Sequence, residues 1–301
     1  MRDLEPGTTY YYRAADAAGN SSVGRFRTAP EACADTGVRF AVSGDWRPEP
    51  APYPSIRNQP PRNLDFFIDH GDTIYAENYS DPSQPTAATL PEHRAKYAES
   101  MATRLGLNTR RDLHGSTAIL ATIDDHEVTN DFAGGAPPAT DPRFDDSGAY
   151  INETQRYRDG LQAFHTIVNN LTYQNAPFTA QTPSDTFEMV TGAVALDAPF
   201  GQTVMGLATQ LGLANSGLDA TLVSGDYTSA HTCGWTEFDV DPATEELRVV
   251  TYGIAPYTAA DWRTTRGGVA ARQPQVVQEF RVTTVLSAVL ANRDGGCSHL
   301  E

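Results

Sequence analysis

The stretch Leu64–Glu77, with the sequence LDFFIDHGDTIYAE, decides the fold of this chain. Its apolar first half, rich in Phe and Ile, predicts a buried strand that ends before Gly71-Asp72. Because glycine lets the backbone turn at low steric cost, Asp72 and Tyr75 should follow on a loop at the carboxyl end of this strand. Open α/β sheets usually bind their ligands at that edge.

Two other segments repeat this order of apolar strand and carboxylate. Val38–Val42 runs into SGDWR (residues 43–47), and Thr117–Ile123 runs into DDHE (residues 124–127). Three such strands in one sheet would bring carboxylate and imidazole side chains to the same edge. The sequence therefore predicts a metal site there.

Composition sets limits on the class of protein. The length of 301 residues suits one large domain, or one large domain and a small partner. A net charge of −16 and a pI near 4.7 argue against nucleic-acid binding through a basic surface. No apolar run reaches the length of about 18 residues that a membrane span needs. We expect no signal peptide at the start, and at most one internal disulfide among Cys33, Cys233 and Cys297.

The remaining segments are read from their periodicity and their turn residues. A hairpin is predicted around Gly19-Asn20 and another around residues 241–246. Residues Pro48–Pro61 are expected to form an irregular loop over the sheet edge. The predicted helices are Pro91–Leu105, with Tyr97, Met101 and Leu105 on its apolar face, and Glu153–His165. The further predicted strands are Thr8–Ala14, Val23–Thr28, Thr186–Ala195, Ala220–Ser224, Gly234–Val240, Leu247–Ile254 and Gln278–Val285.

Four stretches resemble the alkaline phosphatase D type metallophosphoesterases, which are related to the purple acid phosphatases. Two are the motifs DFFIDHGDTIY (residues 65–75) and DDHEVTNDF (residues 124–132). LEPGTTYYYR (residues 4–13) with GRFRTAP (residues 24–30) resembles the end of the family's fibronectin-like domain, and GWTEFDVDP (residues 234–242) resembles a C-terminal hairpin. The resemblance implies an α/β fold: a calcineurin-like metallophosphatase β-sandwich flanked by helices, preceded by a remnant hairpin of a fibronectin/Ig-like β-domain.

The resemblance also implies a dinuclear metal site that hydrolyses phosphate mono- or diesters through metal-bound hydroxide. In that scheme Asp45 ligates one metal, Asp72 bridges both, Tyr75 gives a phenolate to a ferric ion and Asp125 ligates the second metal. The implied metals are Fe3+ and Ca2+, with Zn2+, Mn2+ or Mg2+ as alternatives in the second site.

Two further residues are implied to act on the substrate. His126 would stabilise charge near the phosphate or protonate the leaving oxygen, and Arg47 would hold the phosphate. Ordinary structural roles compete with some of these assignments. A Gly-Asp pair after a strand is also common in turns and helix caps, so Asp45 alone does not identify a ligand, and Arg47 could pair with a surface carboxylate. His70 and His114 are interpreted as structural histidines.

The sequence departs from the family at a fourth motif, Asp-x-His, whose histidine is a metal ligand in relatives. The stretch VNNLTYQ (residues 168–174), which closely follows that motif in relatives, here follows GLQAFH (residues 160–165) directly. We interpret this join as the loss of a block that holds a core strand and the motif itself. His165 is the first candidate replacement and His231 the second.

These observations divide the chain into a remnant of the N-terminal β-domain, residues 1–30, and a phosphoesterase domain, residues 38–290, shortened near residue 165. Two hypotheses follow: a metal-dependent phosphoesterase, or a catalytically impaired remnant that binds cations without turnover. An adhesive β-module is a weaker third hypothesis, because only one N-terminal hairpin is present. The family resemblance favours a secreted, periplasmic or cell-surface location.

Overall fold

The computed structural model describes residues 3–32, 34–49, 51–77, 86–130, 154–167, 232–257 and 259–282. These residues form a mixed α/β fold with a six-stranded sheet and a separate two-stranded sheet. The strands are β1 (Thr9–Ala15), β2 (Ser21–Arg27), β3 (Val38–Ser43), β4 (Phe66–Asp69), β5 (Ala118–Ala121), β6 (Cys233–Val240), β7 (Leu247–Ile254) and β8 (Gln275–Val282). The helices are α1 (Leu90–Ser100), α2 (Thr109–Ser116), α3 (Gln155–Ile167), α4 (Ala259–Thr264) and α5 (Arg266–Ala270).

The large sheet has the strand order β5-β4-β3-β6-β7-β8. Strands β3, β4 and β5 are parallel, whereas β6, β7 and β8 add to the other side of β3 in antiparallel pairs. Ser43 pairs with Asp69, and Asp69 pairs with Ala121, so the three parallel strands end at the same level. The predicted convergence of their carboxyl ends is confirmed.

The core covers one face of this sheet. Ala41, Phe67, Trp235 and Val250 point from four neighbouring strands into one buried cluster. The cluster is closed by side chains from the segment after β3 and from α2, among them Trp46, Tyr53, Ile56 and Leu113. On the opposite face Phe40 stacks on Phe66 and on Phe238, with ring centroids 5.1 and 4.8 Å apart.

The loop predicted for residues Pro48–Pro61 is irregular, but its place differs from the prediction. It contains two short 3₁₀ turns, Pro54–Ile56 and Pro60–Arg62. Residues 51–56 are buried in the core instead of lying over the sheet edge. The reason is that Tyr53 and Ile56 supply apolar side chains that cover the sheet, and Tyr53 donates a hydrogen bond of 3.2 Å to the carbonyl of Trp46.

Both predicted hairpins are confirmed, as β1–β2 and β6–β7, and α3 matches the predicted second long helix. The first hairpin turns at Asp16, whose carboxylate accepts hydrogen bonds from the amides of Ala18 and Asn20. Arg27 joins the hairpin to the large sheet through a 2.8 Å ion pair with Asp65. That this hairpin is the remnant of a larger β-domain stays a prediction.

Helix α1 is shorter than predicted. It ends at Ser100 with Met101 as its C-cap, and the end of the predicted range is not helical, since Leu105 and Gly106 adopt positive φ values of 51° and 73°. Leu105 is therefore exposed and does not extend the apolar face. The polar helix α2 was not predicted, and its presence restricts the third parallel strand to Ala118–Ala121. Strand β8 begins three residues before the predicted position, at Gln275.

Several predictions lie outside the described residues, namely the strands Thr186–Ala195 and Ala220–Ser224 and the position of His231. Within the part that the structure describes, one sheet of the predicted β-sandwich is seen. The helices in that part are all too short or too polar to cross a bilayer.

Helix α3 packs against α1, and its Gly160 lies against the loop after β5. A Cβ atom at Gly160 would lie 2.8 Å from the carbonyl oxygen of Glu127 and 3.0 Å from Cγ2 of Val128. The backbone oxygen cannot move without displacing the loop that carries Asp125 and His126. Gly160 is therefore required for the helix to support that loop.

We expect Gly160→Ala to lower the free energy of unfolding by about 1–3 kcal/mol, the usual cost of overpacking. Gly267→Ala is the matched control, because a Cβ at Gly267 in α5 would meet no atom of the described residues within 4 Å. The control should leave stability unchanged or raise it slightly, since alanine favours helix. Urea denaturation of both variants measures the difference, and a Gly160→Ala protein as stable as its parent would show that the close approach is wrong.

Candidate metal centre

The candidate site lies in the loops that follow the three parallel strands. Asp45 follows β3, Asp72 follows β4, and Asp125 and His126 follow β5. Each loop leaves its strand at the same edge of the sheet because the strands end in register. The repeated order of strand and carboxylate in the sequence therefore has the spatial result that we expected.

Backbone hydrogen bonds hold the three loops together. The amide of Asp45 donates to the carbonyl of Gly71 at 3.3 Å, and the amide of Trp46 donates to the carbonyl of Asp72 at 2.8 Å. The amide of Ala76 donates to the carbonyl of His126 at 2.9 Å. The positions of the candidate ligands are thus linked by main-chain contacts and do not depend on side-chain packing alone.

Two of the candidate ligands adopt an unusual backbone conformation. Asp45 and Asp72 have φ values of 59° and 52°, in the left-handed region that costs energy for residues other than glycine. Gly71 has a φ of 112°, and a Cβ there would lie 2.6 Å from Cβ of Asp124. Only glycine lets the β4 loop approach the β5 loop this closely.

Asp72, Asp125 and His126 form a cluster with metal-ligating potential. One ligand atom from each lies within 4.8 Å of the others. One carboxylate oxygen of Asp72, Oδ1, is buried and accepts no hydrogen bond in the described part of the chain. A buried carboxylate oxygen without a donor is costly, and a cation would satisfy it. The donors present therefore fit a bound metal ion.

Asp45 and Tyr75 lie beside this cluster. The Tyr75 hydroxyl donates a hydrogen bond of 2.9 Å to Oδ1 of Asp45. The Tyr75 ring stacks on the His126 imidazole, with centroids 3.9 Å apart and the planes 26° from parallel. The structure therefore brings together Asp45, Asp72, Tyr75, Asp125 and His126, whereas their roles as ligands or catalytic groups stay predictions.

Burial and the density of negative charge shift the ionisation of the cluster. Burial raises the pKa of Asp72 to about 8, although the nearby His126 charge opposes this shift. Burial also raises the pKa of Tyr75 above its usual range, and the carboxylates of Asp45 and Asp72 raise it further. In the absence of a cation Tyr75 is therefore a protonated donor. Phenolate binding to a metal requires the metal to displace that proton.

Glu77 orients the imidazole of His126, and sequence analysis gave it no role. Its carboxylate Oε1 is in close hydrogen-bond contact with Nδ1 of His126 and also accepts from the amide of Asn130 at 3.0 Å. This leaves Nε2 of His126 facing Asp72, 4.0 Å from Oδ2. Burial lowers the pKa of His126, but the Glu77 contact and the charges of Asp72 and Asp125 outweigh burial and raise the pKa to about 9. In the sequence, the position of Glu77 two residues after Tyr75 could have indicated this role.

Arg47 lies close to the cluster but is held by a neighbour. Its guanidinium carbon is 5.8 Å from the centroid of the Tyr75 ring, and its Nη2 is 2.7 Å from Oε1 of Glu49. The predicted phosphate contact would require this ion pair to rearrange or to share the guanidinium. His165 lies in α3 near its carboxyl end. Its predicted role as a metal ligand stays a prediction.

A buried arginine supports the Asp72 loop from the core, and sequence analysis also missed it. Arg110, in α2, is fully buried and donates to the carbonyl of Thr73 at 2.6 Å and to Oγ of Ser100 at 2.9 Å. Its guanidinium lies 4.5 Å from the centre of the Trp46 ring, and its Nη2 is 3.7 Å from Oδ2 of Asp69. Through these contacts the single guanidinium of Arg110 connects the loop after β3 with the loop after β4.

Comparison with solved structures found two that are similar to this chain. The chain is similar to a solved structure described as PhoD, with 24% sequence identity and a TM-score of 0.46 over 55% of this chain and 32% of that one. It is also similar to the purple acid phosphatase PPD1 from yellow lupin (Lupinus luteus) seeds, with 9% identity and a TM-score of 0.41 over 94% of this chain and 61% of that one. The chain thus spans less than two thirds of either structure, and no curated protein matches it.

The sequence model of the family described as PhoD-like phosphatase matches residues 41–195. This range is slightly more than half of the chain, and it contains all three loops and α3. The match agrees with the resemblance carried by the motifs at residues 65–75 and 124–132. The chain belongs to the PhoD-like phosphatase family.

Proposed function

We propose that this protein is a metal-dependent phosphoesterase that hydrolyses phosphate mono- or diesters. The observation that carries the proposal is the cluster of Asp72, Asp125 and His126, whose ligand atoms lie within 4.8 Å of one another. The cluster occurs in a chain of the PhoD-like phosphatase family, at the sheet edge where α/β proteins place their chemistry. Family membership supports the general class, and comparing hydrolysis of a monoester with that of a diester distinguishes the two reactions.

The metals would be held mainly by carboxylates. Asp72 is central to the cluster and is the proposed bridging ligand, with Asp125 on one side and Asp45 with Tyr75 on the other. Metal ions bound there would polarise a phosphate oxygen and supply a nucleophile near neutral pH. Hard oxygen donors and one phenol suit Fe3+ with Ca2+, and Zn2+, Mn2+ or Mg2+ are the alternatives for the second position. His165 is the proposed source of an additional imidazole.

His126 is proposed to act through Nε2, because Nδ1 faces Glu77. From this position it can donate a proton to the leaving oxygen or stabilise its negative charge. The same nitrogen lies near enough to Asp72 to bind a metal instead. Arg47 would bind phosphate oxygens through its guanidinium, which the substrate would then share with Glu49.

The alternative function is cation binding without turnover. One observation favours it: Arg47 forms an ion pair with Glu49 and so is not presented to a phosphate in this conformation. The missing Asp-x-His motif points the same way, since it removes an imidazole ligand that relatives supply. Both functions need the same metal site, and they differ only in catalysis.

Metal binding should depend on Asp72 and not on Asp124, the exposed residue that precedes Asp125. We expect Asp72→Asn to lower the affinity for Mn2+ by at least about tenfold, because the bridging charge is lost. Asp124→Asn is the matched control: Asp124 precedes Asp125, is exposed and is not part of the cluster. Calorimetric titration of the metal-depleted proteins measures both affinities, and equal loss in the two variants would count against the cluster.

Hydrolysis should be measurable but slow. We expect the metal-loaded protein to cleave p-nitrophenyl phosphate or its bis-ester, and we expect Asp72→Ala to abolish this cleavage. His126→Ala should lower kcat by roughly 10²–10⁴-fold with metal content unchanged if His126 is the proton donor. Loss of metal in the same variant would identify His126 as a ligand.

The rate itself separates the two functions. No hydrolysis of either ester by the metal-loaded parent would leave only cation binding. Robust turnover in the parent that is lost in both Asp72→Ala and His165→Ala would contradict the expectation of a poor catalyst. It would also show that His165 replaces the missing histidine.

Tyr75 should give the protein a colour if the first metal is ferric iron. Phenolate-to-iron charge transfer absorbs visible light, so the iron-loaded parent should be coloured and Tyr75→Phe colourless. Visible absorption before and after loading with Fe3+ tests this, with Tyr11→Phe as the control, because Tyr11 is an exposed phenol in the N-terminal hairpin. A colourless iron-loaded parent that hydrolyses phosphate esters would refute the ligand role of Tyr75.

A further inference from the structure

Glu127 links the two loops that carry the metal cluster. Its side chain is fully buried. One oxygen, Oε1, accepts hydrogen bonds from both the backbone amide and the hydroxyl of Thr73, each at 2.6 Å. The other oxygen, Oε2, accepts from the backbone amide of Asp124 at 3.0 Å. One carboxylate thus binds the β4 loop with one oxygen and the β5 loop with the other.

The two bonded residues are the direct neighbours of the candidate ligands. Thr73 follows Asp72, and Asp124 precedes Asp125. The ladder between β4 and β5 ends at the pair of Asp69 and Ala121, followed by one bond from the amide of Thr122 to the carbonyl of Asp69. Beyond that bond the loops are joined by the backbone hydrogen bond between Ala76 and His126, by the close approach of Gly71 to Asp124, by side-chain contacts to His126, and by Glu127. Among these contacts, Glu127 supplies a fully buried side chain that binds the residues directly beside Asp72 and Asp125.

Glu127 is itself held in place by the helices around it. The backbone of α3 at Gly160 lies against its carbonyl oxygen. The hydroxyl of Thr73, which donates to Glu127, is also 3.1 Å from the hydroxyl of Tyr97 in α1. The carboxylate therefore has little freedom to follow a shifted loop, and the loops must adapt to it.

We propose that Glu127 is a positioning residue that sets the distance between Asp72 and the pair Asp125–His126. This inference rests on the proposed metal site. Metal sites tolerate displacements of only about 0.5 Å, and partners that orient ligands typically contribute 10- to 100-fold in metal affinity. No contact between Glu127 and the metal or the substrate is needed for this effect.

The first test is independent of metal. In the parent, the amides of Thr73 and Asp124 should both exchange at least roughly tenfold more slowly than in the unfolded chain, although Asp124 is an exposed residue. Glu127→Gln keeps the size of the side chain but replaces one acceptor with a donor. It should therefore speed exchange about tenfold or more at one of these amides. If the Asp124 amide of the parent exchanges as fast as in the unfolded chain, the proposal is wrong, and no variant is needed to show it. The proposal is also wrong if both amides exchange as slowly in Glu127→Gln as in the parent.

The second test measures metal affinity with Mn2+ as the probe. Glu127→Gln should bind Mn2+ about 10- to 100-fold more weakly than the parent. Asp65→Asn is the matched control, because Asp65 also bridges segments, accepting from the amide of Arg39 at 2.9 Å and from Arg27 at 2.8 Å, but at the opposite end of the sheet. The control should retain parental Mn2+ affinity even if its melting temperature falls.

The outcomes separate this inference from the proposed function. Failure of the parent to bind Mn2+ would refute the metal site, while amide exchange would still decide whether Glu127 links the loops. Equal Mn2+ affinity in the parent and in a folded Glu127→Gln would refute the positioning role and leave the metal site intact. If Glu127→Gln does not fold, the exchange rates of Thr73 and Asp124 in the parent decide the question.

Discussion

The site depends on the parallel, in-register pairing of β3, β4 and β5. Because Ser43, Asp69 and Ala121 lie at the same level, the chain leaves all three strands at one edge. Asp45, Asp72 and Asp125 come two, three and four residues after their strand ends, and His126 directly follows Asp125. A slip of one residue in any pairing would turn side chains to the other face of the sheet and separate the cluster.

Close approach of the loops concentrates negative charge, and the structure offsets it in two ways. Arg110 is buried beneath the site and donates to the loop after β4, while His126 lies between the carboxylates of Asp72 and Glu77. Even so, burial raises the pKa of Asp72 to about 8, and among the described residues its buried Oδ1 has no hydrogen-bond donor. A bound cation would offset the free-energy cost of burying this carboxylate. The unfavourable burial of Asp72 is thus connected with the proposed function.

Sequence alone predicted those parts of the site that are encoded locally. The stretch Leu64–Glu77 contains its own strand, its turn glycine and its carboxylate, so its structure follows from adjacent residues. Contacts between distant segments could not be predicted in this way. Arg110 lies 37 residues from Thr73, to whose carbonyl it donates, and it sits in a helix whose polar sequence gave no apolar periodicity. The buried loop at residues 51–56 was likewise misplaced, because its prolines indicate irregular backbone but not which surface it covers.

We propose that the loops after β3, β4 and β5 form one metal site around Asp72. Anomalous diffraction from crystals of the protein grown with Mn2+ tests it most directly. We expect an anomalous peak within about 2.0–2.6 Å of carboxylate oxygens of both Asp72 and Asp125. A peak bound elsewhere, or no peak between these two side chains in crystals that contain Mn2+, would contradict it.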